Sequence, residues 1–353
     1  MKTNTAVRLA FMGHQIANDG YGYATIKVAE WIRSLSPGVD IVDMAHDGMF
    51  SNIERDRWLV DGAAVLLCIP DWLPCIKAQT MAIYTMFDST RLPAGWAETI
   101  NRHTARCLVP SRWCAETFAD SGVRVPIEVV PLGIDANDYA FVDRGGRDGP
   151  YTFLWNGTPD YRKGWDVAYR AFVAAFGRRE DVRLILHFRG ELPGRLRWGD
   201  PNVEQIVGML TRTQWISLLA RADCFVFPSR GEGWGLPPRE AAATGLPVIA
   251  TDYGGLADGL SKWGLPLWVR GMSPARYGPF DNIGEWAEPE LDHLVELMRW
   301  CELHREEAWA IGQRASAWLR KPVNGWGATA LQVLDALQSI SLRREEVAMP
   351  VSA

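Results

Sequence analysis

Two glutamates, Glu232 and Glu240, are separated by seven residues in a stretch dense in glycine and proline. A carboxylate accepts a pair of hydrogen bonds and so suits a vicinal diol. One of two such groups can hold a ribose and the other a hexose. Between them lie Gly233, Gly235, Leu236, Pro237 and Pro238. Glycine lets the backbone approach a ligand closely. Proline is tolerated in the first turn of a helix, so a helix should open here, and its unpaired N–H groups suit a phosphate. The plainer reading of the same stretch is a strand–loop–helix connection with surface glutamates.

Other stretches carry chemistry of a similar kind. Arg162 and Lys163 follow Gly157 and Thr158 and precede a helix pattern. Gly20 and Gly22 lie between a first strand and a first helix, where a Gly-x-Gly serves either a ligand or a tight turn. Asp88 closes an apolar run, as a polar group facing a substrate or as a capping aspartate. His187 ends a strand and reads as a core residue.

The elements that must position these residues alternate in the way of a parallel sheet wrapped by helices. In the first half, strands are expected over 7–12, 39–42, 64–69, 82–87, 106–109 and 127–130, with helices over 24–34 and 115–121. Residues 144–150, with three glycines, a proline and three charges, read as a linker. The second half restarts with strands over 152–155, 183–187, 224–227, 248–250 and 267–269. Helices are expected over 165–176, 213–222, 238–244 and 289–300, and from 302 to 344 with a break at 321–325. The expected fold class is therefore α/β, with two Rossmann-like domains, 1–144 and 150–322, facing a cleft, and a terminal helix, 323–344. In such open sheets ligands bind beyond the carboxyl ends of the strands, and the residues singled out follow expected strands.

Composition bounds the rest. A chain of 353 residues, 48% hydrophobic, has material for two cores. The net charge of −5, without blocks of one sign, argues against general coating of nucleic acid. Apolar runs are too short to span a bilayer, and the first residues read as a strand rather than a secretory signal. The six cysteines make no C-x-x-C pair and read as buried thiols of a reducing compartment. A cytoplasmic location, free or peripheral to a membrane, is expected.

The segment from 228 to 249 resembles the E-x7-E signature of retaining GT-B glycosyltransferases, most of all family 4 (glycosyl transferases group 1). The glycine pair Gly254-Gly255, the Val109-Pro110-Ser111 stretch and the Pro131–Asp135 stretch resemble other landmarks of that family. The resemblance implies an N-terminal acceptor domain, a C-terminal donor domain and a last helix crossing back to the first. It implies that Glu232 contacts donor-sugar hydroxyls, Glu240 the nucleotide ribose, and the amides around Gly235 and Leu236 the sugar or diphosphate. Lys163 matches the family's diphosphate-binding lysine. The family's arginine after the glycine is replaced by Thr158, and Arg162 stands as the alternative second cation. Gly20 and Gly22 match the N-terminal loop, Gly133 a donor contact near the hinge, and Asp88 a residue handling the acceptor proton or hydroxyl.

The implied reaction moves a sugar from a nucleoside-diphosphate sugar to a hydroxyl acceptor, with retention and without metal or other cofactor. No Asp-x-Asp motif occurs in the sequence. The acceptor stays open among glycan, lipid-linked, protein, small-molecule and modified-DNA hydroxyls. The segment 86–93 also resembles a subset associated with bacteriophages, some of which modify hydroxymethylated DNA bases. Arg189, Arg195, Arg197 and Trp198 would be the basic–aromatic edge for such a partner, or simply a solvated loop. A non-catalytic sugar-nucleotide-binding protein on the same fold is a further alternative, and an epimerase or phosphorylase another.

Overall fold

The structure, a computed structural model, describes residues 8–17, 19–44, 58–191, 199–276, 278 and 280–348. Two compact units form. One comprises Met1–Gly133, Arg276–Ile283 and Pro322–Ala353; the other comprises Ile134–Ala275 and Gly284–Lys321.

In the first unit the order is β1 (Arg8–Gly13), α1 (Gly20–Leu35), β2 (Val39–Asp43), β3 (Trp58–Leu67), β4 (Ile76–Tyr84), α2 (Trp96–His103), β5 (Arg106–Val109), α3 (Arg112–Asp120) and β6 (Ile127–Val129). The strands make one parallel sheet in the order β2-β1-β3-β4-β5-β6. Strand β3 shows why the sheet is covered on both faces: Ala63 to Leu67 are all fully buried, a continuous apolar run rather than an alternation. Helix α1 buries Ala24, Val28, Ala29 and Ile32, a stripe at helical spacing.

The second unit runs β7 (Tyr151–Gly157), α4 (Trp165–Phe176), β8 (Val182–Phe188), β9 (Val203–Val207), α5 (Arg212–Arg221), β10 (Cys224–Phe227), α6 (Leu236–Ala243), β11 (Val248–Thr251), α7 (Leu260–Trp263), β12 (Leu265–Leu267), β13 (Val269–Pro274), β14 (Glu285–Pro289), α8 (Leu291–Leu303) and α9 (Arg305–Leu319). Its parallel sheet has the order β12-β11-β10-β7-β8-β9. Strands β13 and β14 pair antiparallel as a separate ribbon. The last helix, α10 (Trp326–Ala348), belongs to the first unit and packs on α1, β3 and β4.

The α/β class and the two Rossmann-like sheets agree with the sequence reading. The division of the chain differs in two places. The stretch 144–150 lies inside the second unit, and the chain passes between units at Gly133/Ile134 instead. Arg144 explains this: it is buried and donates to the carbonyls of Leu219, Ala222 and Thr244, all in the second unit. Only 145–150 form the exposed glycine-rich turn. Second, the loop Arg276–Ile283 between β13 and β14 belongs to the first unit. There Phe280 meets the rings of Phe87 and Trp96 edge-on, and the carbonyl of Ile283 accepts from the Ser89 hydroxyl at 2.8 Å. Strand β9 and the β13–β14 ribbon were not expected from the sequence, since their strands are short and lack a continuous apolar run.

Candidate active site

In the second unit the sheet order sets β7 beside β10, so the loops after these strands meet. The loop after β7 makes a short 3-10 turn, Tyr161–Lys163, capped by Asp160, whose carboxylate accepts from the Arg162 amide at 2.8 Å. It then turns at Gly164 with φ +69°, where a Cβ would lie 1.9 Å from the Pro228 carbonyl oxygen. That close approach is what seats Lys163 on the loop after β10.

Three groups converge on one carboxylate oxygen. Lys163 Nζ lies 2.5 Å from Glu232 Oε1, Arg162 Nη1 lies 3.3 Å from it, and the Ser229 hydroxyl donates to it at 2.9 Å. All four residues are buried. Burial works against a charged Glu232, but Lys163 and Arg162 outweigh it and hold the carboxyl below its ordinary range. Burial and the neighbouring Arg162 push the Lys163 ammonium down to about 8, against the pull of Glu232. Arg162 also donates to the Gly231 carbonyl at 2.7 Å, which ties it to the loop.

Glu240 lies apart from this cluster, in the middle of α6. It is buried, 3.6 Å from Arg212 Nη1. Burial pushes its carboxyl up to about 6, although Arg212 and a hydrogen bond from Trp215 pull the other way. Gly235 caps α6 with φ +85°, and Leu236 and Pro237 open the helix. A Cβ on Gly235 would press into Leu256, and one on Gly255 would meet the Gly233 carbonyl. The two glycine loops are thus stacked backbone to backbone, and the Gly255 amide donates to the Glu232 carbonyl at 2.7 Å.

Two arginines that the sequence reading left unassigned hold these loops. Arg239, on α6, is buried between the rings of Trp234 and Trp263 and donates to the carbonyls of Gly235, Gly255 and Asp258. Burial pushes its guanidinium down to about 9. Arg230 forms a bidentate pair with Asp166 at 2.8 and 2.9 Å, reaches Glu288 at 3.0 Å, and lies over the Tyr161 ring at 3.5 Å. The only sequence signal for either was the presence of an arginine inside a motif rich in glycine, proline and alanine.

In the first unit, Gly20 and Gly22 begin α1. Asp19 caps the helix by accepting from the Gly22 amide at 2.8 Å and lies 2.7 Å from Nε2 of the buried His14. A Cβ on Gly22 would strike the Ile16 carbonyl, whereas one on Gly20 would meet nothing within 4 Å. Tyr21, between the two glycines, joins this turn to the segment after β4. Its hydroxyl donates to the Met86 carbonyl at 2.9 Å and accepts from the Met86 amide at 3.0 Å. The half-buried Asp88 follows two residues later. The structure therefore gathers Gly20, Gly22 and Asp88 in one unit, and Tyr21 is the residue that sequence reasoning passed over. Gly133 has another explanation: a Cβ there would collide with the backbone of Gly325 and Trp326, so chain packing accounts for the glycine. His187 is buried in the core of the second unit, with Nε2 3.0 Å from the Gly208 carbonyl. Of the basic–aromatic edge, Arg195, Arg197 and Trp198 lie outside the described residues, whereas Arg189 sits at the end of β8.

Two six-stranded parallel sheets, with the glycine-rich loops at the carboxyl ends of the second, define the GT-B class of α/β proteins. Within that class, residues 150–271 match the family Glycosyl transferases group 1. The chain is similar to a glycogen synthase of Mycobacterium tuberculosis, 33% identical over 165 residues, covering 45% of this chain and 37% of that protein. It is also similar to a D-inositol 3-phosphate glycosyltransferase of Pseudarthrobacter chlorophenolicus, 27% identical over 226 residues, covering 60% of this chain and 49% of that one. The matches thus span less than half the length of either relative. Among solved structures, a sucrose-phosphate synthase from Thermosynechococcus elongatus superposes with a TM-score of 0.66 at 15% identity, covering 94% of this chain and 98% of that one. At that identity the likeness speaks for the GT-B fold.

Proposed function

We propose that this chain is a retaining glycosyltransferase that moves a sugar from a nucleoside-diphosphate sugar to a hydroxyl acceptor without a metal ion. The observation that carries this reading is the buried Lys163–Glu232 pair at the ends of β7 and β10, with the amino end of α6 beside it. When the bond between the sugar's C1 and the diphosphate oxygen breaks, negative charge grows on the leaving group. A fixed ammonium and a helix amino end stabilise that charge without reorganisation. Glu232 is oriented by Ser229 and Arg162 to accept from sugar hydroxyls. Glu240, eight positions on and on the same loop–helix unit, takes the ribose diol. The acceptor oxygen bonds to C1 on the face that the diphosphate leaves, and its proton passes to the departing phosphate oxygen. Asp88 is assigned to hold the acceptor hydroxyl, with Gly20 and Gly22 forming the turn beside it. The family match over residues 150–271 supports the donor side of this reading.

The test is transfer or hydrolysis of a panel of nucleoside-diphosphate sugars. Lys163→Ala and Glu232→Ala are each expected to lower turnover by about 100-fold or more, the scale for removing one group that meets transition-state charge, with melting temperature little changed. Near-normal turnover in both variants would overturn the donor site. Binding of donor without any transfer or hydrolysis by the unaltered chain would instead favour a non-catalytic binding protein.

A further inference from the structure

The diphosphate clamp read from sequence has one cation in place, Lys163, and a threonine at 158 where the resemblance expects an arginine. Arg162 is engaged within the loops of the second unit. Its guanidinium is tied to the Gly231 carbonyl and Glu232, and its own carbonyl accepts from the Arg230 amide at 2.7 Å and the Ser229 hydroxyl at 3.2 Å. It braces the loop from below.

The register of the sheet points to a different residue. Strands β7 and β8 pair in parallel through Asn156–His187 and Gly157–Phe188. Just past the end of that register the Arg189 amide donates to the Gly157 carbonyl at 2.8 Å. A Cβ on Gly157 would meet the Trp155 ring at 2.8 Å and Lys163 Cβ at 3.2 Å. Arg189 and Lys163 therefore both lie next to one glycine, at the carboxyl end of the sheet. The charge of Arg189 is also felt at both ends of the donor motif. It disfavours the charged form of Lys163 and favours the carboxylate of Glu240. In the donor-site reading a diphosphate runs between the ribose at Glu240 and the sugar at Glu232.

We infer that Arg189 is the second cation of the diphosphate clamp, carried just past the end of β8 rather than just past the end of β7. The inference rests on the donor-site reading above and assigns the arginine of that site to a neighbouring strand. Arg189 pairs with the non-bridging oxygens of the leaving diphosphate, and bidentate guanidinium–phosphate geometry suits it to that task.

Calorimetric titration with UDP, GDP and ADP, and with the parent nucleosides, tests this on the full chain. The tightest diphosphate and its nucleoside are carried forward. Arg189→Ala is expected to weaken the diphosphate by about 10- to 100-fold, the scale for a hydrogen bond to a charged group, while nucleoside affinity stays the same. Arg189→Lys should fall between, and Thr158→Arg in the Arg189→Ala background should restore diphosphate affinity. If Arg189→Ala does not fold, Arg189→Gln keeps the side-chain length without the charge and carries the same comparison. Equal loss of nucleoside and diphosphate, or diphosphate affinity within twofold of the unaltered chain while Lys163→Ala loses it, would overturn the Arg189 assignment and leave the donor site standing. Failure of the unaltered chain to bind any of the three diphosphates would overturn the donor-site reading itself.

Discussion

The two glutamates of the donor motif sit in opposite electrostatic settings. Glu232 is ionised by design of its surroundings, since Lys163 and Arg162 face one oxygen. Glu240 is buried with weaker compensation and titrates at about 6. For diol binding the carboxylate form is needed, so nucleotide affinity should decline as pH falls through about 6, and Glu240→Gln should flatten that acid limb. The stability consequence has the opposite sign. A folded-state pKa above the ordinary 4.5 means the native state binds the proton more tightly than the unfolded chain. Its contribution favours folding at low pH and is lost as pH rises through 6. Glu240→Gln should therefore raise unfolding free energy at pH 7 by about 1–2 kcal/mol while weakening nucleotide binding. Denaturant titration at pH 5 and pH 7 checks this; equal stability of variant and parent at both pH values would refute it. Lys163 sets the other limb: with its ammonium pushed down to about 8, turnover should fall above that pH.

At the scale of elements, the site depends on turns that only glycine can make. Gly164 takes φ +69° against the Pro228 carbonyl and so fixes the distance between the loops after β7 and β10. Gly164→Ala should cost at least about 2 kcal/mol, since a left-handed non-glycine residue is already penalised before the clash is counted. Gly20 is the contrast: a Cβ there meets nothing within 4 Å, and Gly20→Ala should leave the melting temperature within a degree or two. Thermal melts of the two variants side by side check both; a Gly164→Ala protein as stable as its parent would remove the argument. The motif glycines and prolines were legible in sequence because each has a local reason. Arg239 and Arg230 were not, because what they hold, the carbonyls of Gly255 and Asp258 and the side chains of Asp166 and Glu288, comes from distant parts of the chain.

For the whole molecule, the first unit is assembled from three separated lengths of chain. Helix α10 contributes Trp326, Val333, Leu337 and Ile340 to its core, and Trp326 meets the Tyr23 ring edge-on at 5.8 Å. The loop Arg276–Ile283 adds Phe280 and the Ile283 carbonyl. A chain ending at Lys321 should therefore leave the first unit without a cooperative transition, seen as dye binding to exposed apolar surface and early proteolysis before residue 134. Trp326→Ala alone should cost about 3–5 kcal/mol, the range for emptying a large aromatic site. A truncated chain with two intact transitions would show that α10 is dispensable. Among the described residues, no helix is long and apolar enough to cross a membrane.

The sequence by itself determined the α/β class, the strands that feed the site, and the glycine-rich loop and helix start that carry Glu232, Gly235 and Glu240. Each of these rests on local pattern: apolar runs of strand length, glycine where backbone must approach backbone, proline at a helix start. Tertiary structure alone decided which cations serve which carboxylate. It tied Arg162 into the loop, set Lys163 against Glu232, and brought Arg189 beside Gly157 through the pairing of β7 with β8. It also moved the unit boundary from the glycine-rich turn to Gly133/Ile134. The physical reason is the same in each case. Strand neighbours in a parallel sheet are separated by whole crossover helices in sequence, so the residue that completes a site is set by register and sheet order rather than by proximity along the chain.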